Sequence, residues 1–504
     1  MSGERFVLAI DQGTTSTRAI LFDGKGTARA SAQAPLTQIY PAPGQVEHDP
    51  EEIWRSVLHV GRAALRGVEP SRIAAIGITN QRETTMVWER TTGKPLANAI
   101  VWQDRRTAGL CGELAREGWA DHVARVTGLV IDPYFSATKL AWLLRNVPGL
   151  EARARAGEVS FGTIDSFLLY RLTGGRLHAT DATNAARTML YDIGSGAWDA
   201  RLLDRLGVPR AILPDVRNTQ GDFGATAPEH FGAAIPIAGV AGDQQAAAYG
   251  QACFTPGMFK ATYGTGCFVL ANTGREKAVS ATRMLSTIFH QIEGRRTYAL
   301  EGAIFMAGAT VQWLRDNLGL IASAAESEAL AREADRQARI YLVPAFQGLG
   351  APFWDADARG AILGLSRAAS KADLVAAGLE AVAFQTRDLL AAMRRDLAAA
   401  SGIGAPSVLR VDGGMTANSW FLQRLADILG ERVELAANAE TTALGAAYHA
   451  GQAAGFFGDA ATLAKGWTPA RAFEPVMAEA EREERYGGWL EAVARVRSER
   501  ADLA

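Results

Sequence analysis

Cysteine and histidine are scarce in this chain of 504 residues, and neither is clustered. The three cysteines, Cys111, Cys253 and Cys267, lie far apart in the sequence. They form neither a disulfide framework nor a C-x-x-C metal-binding pair. The seven histidines show no metal-ligand spacing. The scatter of both residue types argues against a zinc enzyme.

Net charge is nearly absent, because 52 Lys and Arg residues face 54 Asp and Glu residues, which leaves −2. This balance gives no support for a surface that binds nucleic acid or an anionic membrane. No stretch approaches the roughly 20 apolar residues of a membrane helix, so no membrane insertion is expected. Residues 1–5 lead directly into an apolar run without the features of a signal peptide, and we expect a cytoplasmic protein.

Several common enzyme signatures are missing as well. The sequence has no G-x-x-x-x-G-K-[ST] P-loop, no G-x-G-x-x-G turn, no H-E-x-x-H and no G-x-S-x-G. A nucleotide-binding protein with this sequence would therefore need another scaffold. The chain is long enough for two or three domains with full-sized cores.

What is present begins with a predicted β-hairpin over residues 6–23. Two apolar runs flank the turn Gln12 to Ser16, which is rich in Gly, Ser and Thr. Backbone N–H groups and hydroxyls in such a turn can bind a phosphate, and Asp11 beside it could hold Mg²⁺. An ordinary hairpin with a polar tip fits the same residues, and the hairpin alone does not decide between the two.

The same strand–turn–strand pattern returns at residues 258–270, about half a chain later. A repeated phosphate-binding hairpin predicts a duplicated architecture, which we divide into domains at residues 1–253 and 254–504. The predicted strand Ser407 to Asp412 ends in Gly413 and Gly414, where backbone can approach a flat ligand. These features are typical of an α/β protein that binds a nucleotide between two similar domains and transfers a phosphoryl group.

Polar residues follow two predicted strands of the first half. Arg82 and Glu83 come after the strand Arg72 to Thr79, at the kind of strand end where open sheets hold ligands. A surface Arg–Glu pair is the alternative, and it would contribute little. Asp243 follows the strand 236–242, although an Asp in that place is often only a helix cap.

Two helices are predicted between these strands. Ser136 is the expected N-cap of a helix that runs to Asn146, and residues 161–172 form a second helix after a turn.

Seven short motifs resemble the FGGY family of carbohydrate kinases, within the actin-like ATPase superfamily, and the resemblance covers nearly the whole chain. They are Asp11-Gln-Gly-Thr-Thr-Ser-Thr-Arg18, Asn80-Gln-Arg-Glu-Thr-Thr85, Trp102-Gln-Asp-Arg105, Gly162-Thr-Ile-Asp-Ser166, Gly239-Val-Ala-Gly-Asp-Gln-Gln-Ala-Ala247, Tyr263-Gly-Thr-Gly-Cys-Phe268 and Val411-Asp-Gly-Gly414. Residues 134–146 and 360–380 also follow the two signatures of the family. The resemblance implies two duplicated actin-like (ribonuclease H-like) domains with a nucleotide and substrate cleft between them.

The resemblance also implies a reaction, the phosphorylation of glycerol to sn-glycerol 3-phosphate by ATP with Mg²⁺. Asp243 would be the general base for the attacking hydroxyl. Arg82, Glu83 and Tyr134 would bind the three hydroxyls, with Gln244 beside them, and Trp102 and Phe268 would pack on the carbon side.

The remaining roles implied by the resemblance concern the metal, the phosphates and the assembly. Asp11 would hold Mg²⁺. The transferring phosphate would lie between the two hairpins, and the ADP portion would lie on the second half. The residues for these two tasks are Thr14, Thr15, Ser16, Arg18, Thr265 and Gly266 for the phosphate, and Gly308, Gln312, Gly414 and Asn418 for ADP. A homodimer or homotetramer is expected.

Two other functions remain open at this point. A kinase for another polyol or keto-sugar would share the fold, although Arg82, Glu83 and Trp102 argue against a roomier pocket. An actin- or Hsp70-like nucleotide switch would explain the hairpins but not Asp243 and the triol-binding residues. Regulation by fructose 1,6-bisphosphate or by a phosphorylated histidine is not expected, because residues 228–234 match neither motif of the family.

Overall fold

The computed structural model describes residues 4–355, 357–401 and 408–498. Ser407, where the predicted strand of the second half begins, lies outside the described residues. The N-terminal half is built on a five-stranded sheet in the order β13-β5-β1-β2-β3. Four separate two-stranded sheets accompany it, namely β4-β7, β6-β8, β9-β12 and β10-β11. Its strands are β1 (Phe6–Gln12), β2 (Ser16–Phe22), β3 (Ala28–Pro35), β4 (Glu47–His48), β5 (Ile73–Asn80), β6 (Met86–Glu89), β7 (Ala99–Ile100), β8 (Val159–Gly162), β9 (Ala179–Asp181), β10 (Tyr191–Asp192), β11 (Ala197–Trp198), β12 (Asp215–Arg217) and β13 (Ile237–Gly242).

Ten α-helices surround these strands in the described part of the first half. They are α1 (Pro50–Ala64), α2 (Ala108–Arg116), α3 (Ala120–Thr127), α4 (Ser136–Asn146), α5 (Leu150–Arg155), α6 (Ile164–Leu172), α7 (Ala182–Ala185), α8 (Ala200–Leu206), α9 (Pro228–Phe231) and α10 (Asp243–Gly250). The short 3₁₀ helices Pro70–Arg72 and Arg210–Ile212 complete this half. Apolar faces of β1, β5 and α1 form its core, which includes Leu8, Ile76 and Val57.

The C-terminal half is built on a seven-stranded sheet in the order β16-β17-β15-β14-β20-β21-β22. Its strands are β14 (Phe259–Tyr263), β15 (Cys267–Gly274), β16 (Leu285–Ile292), β17 (Arg295–Ile304), β18 (Tyr341–Val343), β19 (Ala361–Leu363), β20 (Val408–Asp412), β21 (Arg432–Ala436) and β22 (Pro469–Phe473). Its helices are α11 (Gly308–Asp316), α12 (Glu326–Glu333), α13 (Lys371–Ser401), α14 (Ser419–Leu429), α15 (Thr441–Ala453), α16 (Ala460–Gly466) and α17 (Glu479–Val496), with a 3₁₀ helix at Gly414–Ala417.

Five strands of each sheet have the same topology. In the first sheet β1 pairs antiparallel with β2 and parallel with β5, β2 pairs antiparallel with β3, and β5 pairs parallel with β13. In the second sheet β14, β15, β17, β20 and β21 make the corresponding pairs with the corresponding directions. The repeated hairpin of the sequence is therefore part of a repeated sheet.

Two crossing helices, α10 and α15, join the halves. Helix α15 of the second half packs on β1, β5 and β13 of the first sheet and crosses α10. The crossing is so close that a Cβ atom on Gly445 would lie 1.8 Å from the carbonyl oxygen of Ala246, and one on Gly250 would lie 2.0 Å from that of Thr441. Only glycine allows the two backbones to approach to this distance.

Two details of the sequence prediction are wrong. Phe161 lies in β8 rather than in a helix, because residues 159–162 pair with Met86–Glu89 and α6 begins only at Ile164. Ser136 is the first residue of α4 rather than its N-cap, which is Phe135. Its hydroxyl donates instead to the carbonyl oxygen of Glu83. None of the helices in the described part of the chain combines the length and the apolar character of a membrane span.

Candidate active site

The tip of the β1–β2 hairpin lies where the two halves meet. Its turn is closed by the N–H of Gly13, which donates to the carbonyl oxygen of Ser16 at 3.0 Å. Thr15 is exposed, and Thr14, Ser16 and Arg18 are partly exposed. Arg18 donates from Nη2 to Gln33 at 3.0 Å and forms an ion pair through Nη1 with Glu440, just before α15. The hairpin tip thus offers accessible hydroxyls, and its Arg18 contacts the second half.

Asp11 lies at the mouth of this turn. Removal from water and the nearby Asp243 carboxylate raise the pKa of Asp11 to about 7, with Glu440 acting in the same direction and Arg18 against it. Carboxylates that repel one another in this way suit a divalent cation with oxygen ligands. No group of three or more His, Cys, Asp or Glu that could hold a metal occurs in the described residues. One or two carboxylates with retained waters and phosphate oxygens fit Mg²⁺ rather than a closed protein cage.

Arg82 is buried and contacts the side chains of Asp243, Gln245 and Glu301. Its Nε lies 3.2 Å from Oδ1 of Asp243, and its Nη1 donates to Gln245 at 3.1 Å. The two terminal nitrogens also bind both carboxylate oxygens of Glu301, at 2.5 and 2.9 Å. With an exposed fraction of 3%, Arg82 belongs to no surface pair. The alternative that was left open for Arg82 and Glu83 is therefore excluded.

Glu83 is equally buried and adopts a left-handed backbone conformation, with φ of 61°. Its carbonyl oxygen accepts hydrogen bonds from Ser136 at 3.0 Å and from Lys139 Nζ at 3.4 Å. Its carboxylate accepts one from Arg187 Nε at 2.6 Å. An unusual φ at a non-glycine residue persists only where neighbours enforce it, and here helix α4 does so.

Asp243 is the first residue of α10, directly after β13. Burial raises the pKa of Asp243, and the positive charges of Arg82 and Lys260 counteract this rise. Its own Oδ1 accepts a hydrogen bond from the N–H of Gln244, and the Gln244 side chain accepts one from Lys260 Nζ at 2.6 Å. The side chain of Asp243 stays 30% exposed, so it is accessible from the space beside it.

Three aromatic rings border the same space. Trp102 lies edge-on to Tyr134 at 5.6 Å between ring centroids and edge-on to Phe268 at 6.1 Å. Trp102 Nε1 also donates to Thr14 Oγ1 at 2.9 Å, which joins this wall to the hairpin tip. Because Phe268 lies on β15, the wall is completed by the second half.

The second hairpin tip lies beside the start of α11 and the end of β20. Thr265 is exposed, and its carbonyl oxygen accepts hydrogen bonds from the N–H groups of Ala307 and Ala309 at the start of α11. Gly308 is the first residue of α11, and Gln312 is exposed one turn later.

The strands β14 and β20 bring two further candidate residues close together. Since Thr262 of β14 pairs with Asp412 of β20, the strands leading to Gly266 and to exposed Gly414 end side by side. Asn418 caps α14 and donates to Ser327 at 3.2 Å, so its position is set by the protein itself.

Several charged residues of the site escaped the sequence prediction. They are Lys139, Arg187, Lys260, Glu301 and Glu440. Lys139 falls within a quoted signature, but its spacing does not reveal that it is buried. The sequence around Glu301 does not distinguish a buried from an exposed residue of a strand. Its partners, Arg82 and Arg187, are more than 100 residues away in the sequence. The one available signal was a charge inside an otherwise apolar segment, Tyr298 to Ile304.

Comparisons with known proteins agree with this architecture. The profile of the N-terminal domain of the FGGY family of carbohydrate kinases matches residues 6–250, and that of the C-terminal domain matches residues 259–454. A glycerol kinase of Methylobacterium nodulans is 58% identical over 97% of both chains. A glycerol kinase of Xanthobacter autotrophicus is 59% identical over 97% of this chain and 98% of its own.

A solved structure is similar over the same range. The Plasmodium falciparum glycerol kinase with ADP superposes with a TM-score of 0.92 at 35% identity, over 98% of each chain. The fold expected from the motifs is thereby confirmed. The chain belongs to the FGGY family of carbohydrate kinases.

Proposed function

We propose that this chain transfers the γ-phosphoryl group of ATP to a terminal hydroxyl of glycerol and releases sn-glycerol 3-phosphate and ADP. One observation carries the proposal. The partly exposed side chain of Asp243 lies 3.2 Å from Nε of the buried Arg82, and Arg82 also lies near Tyr134, one ring of an aromatic wall that both halves supply. Relatives named glycerol kinase that are 58% and 59% identical over nearly the whole chain support it.

Asp243 acts as the general base in this reaction. Its carboxylate accepts the proton as the hydroxyl oxygen forms a bond to the γ-phosphorus and the bond from that phosphorus to the bridging oxygen of ADP breaks. A base is most effective when its pKa is near the working pH, so the raised pKa of Asp243 favours this role. Arg82 keeps the carboxylate oriented through Nε.

Glycerol is read by polar groups on one side and by rings on the other. Arg82, Glu83 and Tyr134 bind its hydroxyls, with Gln244 beside them, and Trp102 and Phe268 pack against its carbons. Because the polar groups are buried or partly buried, an analogue that lacks a hydroxyl would leave a donor or an acceptor unpaired, which is the strongest source of such discrimination.

The phosphate chain lies between the two hairpin tips. Thr14, Thr15, Ser16 and Arg18 bind the transferring phosphate from the first half and Thr265 and Gly266 from the second. The ADP portion lies against Gly308, Gln312, Gly414 and Asn418. Asp11 holds Mg²⁺, which neutralises phosphate charge when it is bound. Arg18 exchanges its partner Glu440 for phosphate oxygens when nucleotide enters.

The two alternatives fit the site less well. A larger keto-sugar would have to displace the wall of Trp102, Tyr134 and Phe268, whose centroids lie 5.6 and 6.1 Å apart. A nucleotide switch needs no base at Asp243 and no buried Arg82. The domain boundary near residue 254, the homo-oligomer and the cytoplasmic location stay predictions from the sequence.

ADP release with a panel of acceptors tests the proposal. We expect rapid release with glycerol and little with xylulose, with gluconate or without an acceptor. Asp243→Asn should lower kcat by at least about a hundredfold, the usual contribution of a general base, and change the KM for glycerol only a few-fold. Asp204→Asn, at an exposed site on α8, is the matched control and should match the wild type. Release that ignores every polyol would overturn the proposal.

A further inference from the structure

A buried network of charges lies behind the proposed glycerol pocket and includes a residue to which no role has been given so far. Glu301, on β17 of the second half, is 1% exposed. Its carboxylate binds the fork of Arg82 at 2.5 and 2.9 Å and also accepts from Arg187 Nη2 at 3.0 Å. Arg187, which is fully buried, in turn binds Glu83 at 2.6 Å. Glu301 thus contacts both arginines that touch the proposed hydroxyl-binding acids.

The charges of this network require an ionised Glu301. Two arginines face Glu83, Glu301 and Asp243, with Lys260 close by. Burial acts to raise the pKa of Glu301, yet Arg187 and Arg82 hold it at about 2. A bidentate Arg–carboxylate pair fixes the plane of the guanidinium as well as its position. The orientation of Arg82 is therefore determined from the second half of the chain.

We propose that Glu301 is a positioning residue for acceptor recognition, which aims Arg82 at a glycerol hydroxyl and at Asp243 and, through Arg187, fixes the carboxylate of Glu83. This inference rests on the proposed function. Glu301 lies behind Arg82 and touches no reacting atom in this scheme. Its contribution is geometric, because Arg82 with one terminal nitrogen released could turn away from the hydroxyl.

Glu301→Gln is the direct test, since it keeps the size of the side chain but replaces one acceptor oxygen with a donor amide. We expect the KM for glycerol to rise by at least about tenfold, as for a lost hydrogen bond to a charged group, with a smaller fall in kcat. We also expect a smaller ratio of kcat/KM for glycerol to that for 1,2-propanediol and 1,3-propanediol, each of which lacks one hydroxyl. A residue that only stabilises the fold would change neither the ratio of these acceptors nor KM separately from kcat.

Glu380→Gln is the matched control. Glu380 is also a buried glutamate of the second half, and it pairs with Arg424 Nε at 2.8 Å. We expect it to lower stability but to keep the KM for glycerol and the acceptor preference. If Glu301→Gln does not fold, Glu301→Asp decides, because it keeps the charge while withdrawing the carboxylate by one methylene and should still raise KM.

The outcomes separate the two proposals. A wild type that releases no ADP with glycerol would overturn the proposed function. The role of Glu301 alone would be overturned if the wild type is active on glycerol but a folded Glu301 variant keeps its KM and acceptor preference within about twofold of the wild type. The same holds if Glu380→Gln reproduces the changes, because the effect would then come from any buried ion pair.

Discussion

Lys139 shows how single residues prepare this site without touching the proposed substrate. Its side chain is fully buried on α4, and its Nζ donates to the carbonyl oxygens of Tyr134 at 2.6 Å and Glu83 at 3.4 Å. Two residues proposed to bind hydroxyls are thus held through their backbones by one amine. Burial lowers the pKa of Lys139 to about 7, and Glu83 partly offsets this effect.

This lowered pKa predicts a dependence of stability on pH. The folded state releases the proton near pH 7, whereas the unfolded chain keeps it to about pH 10.4. Below pH 7 Lys139 is charged in both the folded and the unfolded state, so folding carries the full cost of burying the charge. This cost is relieved as the pH rises from 7 towards the pKa of lysine in the unfolded chain. Between pH 7 and pH 9 the free energy of unfolding of the wild type should therefore gain about 2 kcal/mol relative to Lys139→Met. Urea denaturation at the two pH values measures this difference, and equal changes in both proteins would contradict it.

Trp102 has two separable functions, a ring surface and an N–H that donates to Thr14 at 2.9 Å. Trp102→Ala removes both and should raise the KM for glycerol by roughly tenfold to a hundredfold, as expected for the loss of a buried aromatic surface. Trp102→Phe keeps a ring and removes only the hydrogen bond, so most of the glycerol affinity should remain. Initial rates at varied glycerol decide, and an unchanged KM in the alanine variant would remove Trp102 from the pocket.

At the level of elements, local patterns predicted much of what forms. The two hairpins follow from alternation between apolar runs and Gly-, Ser- and Thr-rich turns, and α10 follows from its Ala-rich sequence after β13. Ser136 was misplaced because an N-cap pattern and a side chain that binds a distant carbonyl look alike in sequence. Phe161 was misplaced because its partner in the sheet, Val87, is distant in the sequence, and apolar runs of this length fit either a strand or a helix.

The crossing of α10 and α15 gives a prediction at this scale. Gly445→Ala would place a methyl group 1.8 Å from the carbonyl oxygen of Ala246, so the helices must separate or the chain must unfold. We expect a loss of several kcal/mol, beyond the roughly 1–3 kcal/mol of ordinary overpacking. Thermal unfolding followed by circular dichroism measures the effect.

Gly487→Ala is the control for helix propensity. Gly487 is exposed in α17, and nothing lies within 4 Å of a Cβ placed there. Alanine is favoured over glycine in such a position by roughly 0.5–1 kcal/mol, so this variant should be slightly more stable than the wild type. A Gly445→Ala protein as stable as the wild type would show that the crossing is not tight.

At the level of the whole molecule, the duplicated fold could be inferred from the sequence, but the charge network between the halves could not. The repetition of the hairpin pattern, together with the family motifs, was sufficient to predict two similar sheets. Glu301 and Glu440 could not be assigned, because their meaning depends on Arg82 and Arg18, which lie 219 and 422 residues away in the sequence. Contacts at such separations arise only from the complete arrangement of both halves.

This arrangement predicts that acceptor and nucleotide stabilise the protein together. The proposed glycerol site uses Trp102 from the first half and Phe268 from the second, and the proposed phosphate site would use the hairpin tips of both halves. Each ligand alone binds the native state and should raise Tm by mass action. A ligand that draws the halves together lowers the ordering cost for the other, so glycerol with a nonhydrolysable ATP analogue should raise Tm by more than the sum of the separate shifts.

Differential scanning fluorimetry on the wild type measures this excess. Phe268→Ala should reduce the excess but should not change the Tm shift produced by the nucleotide analogue without glycerol. Strictly additive shifts would mean that the two sites are independent.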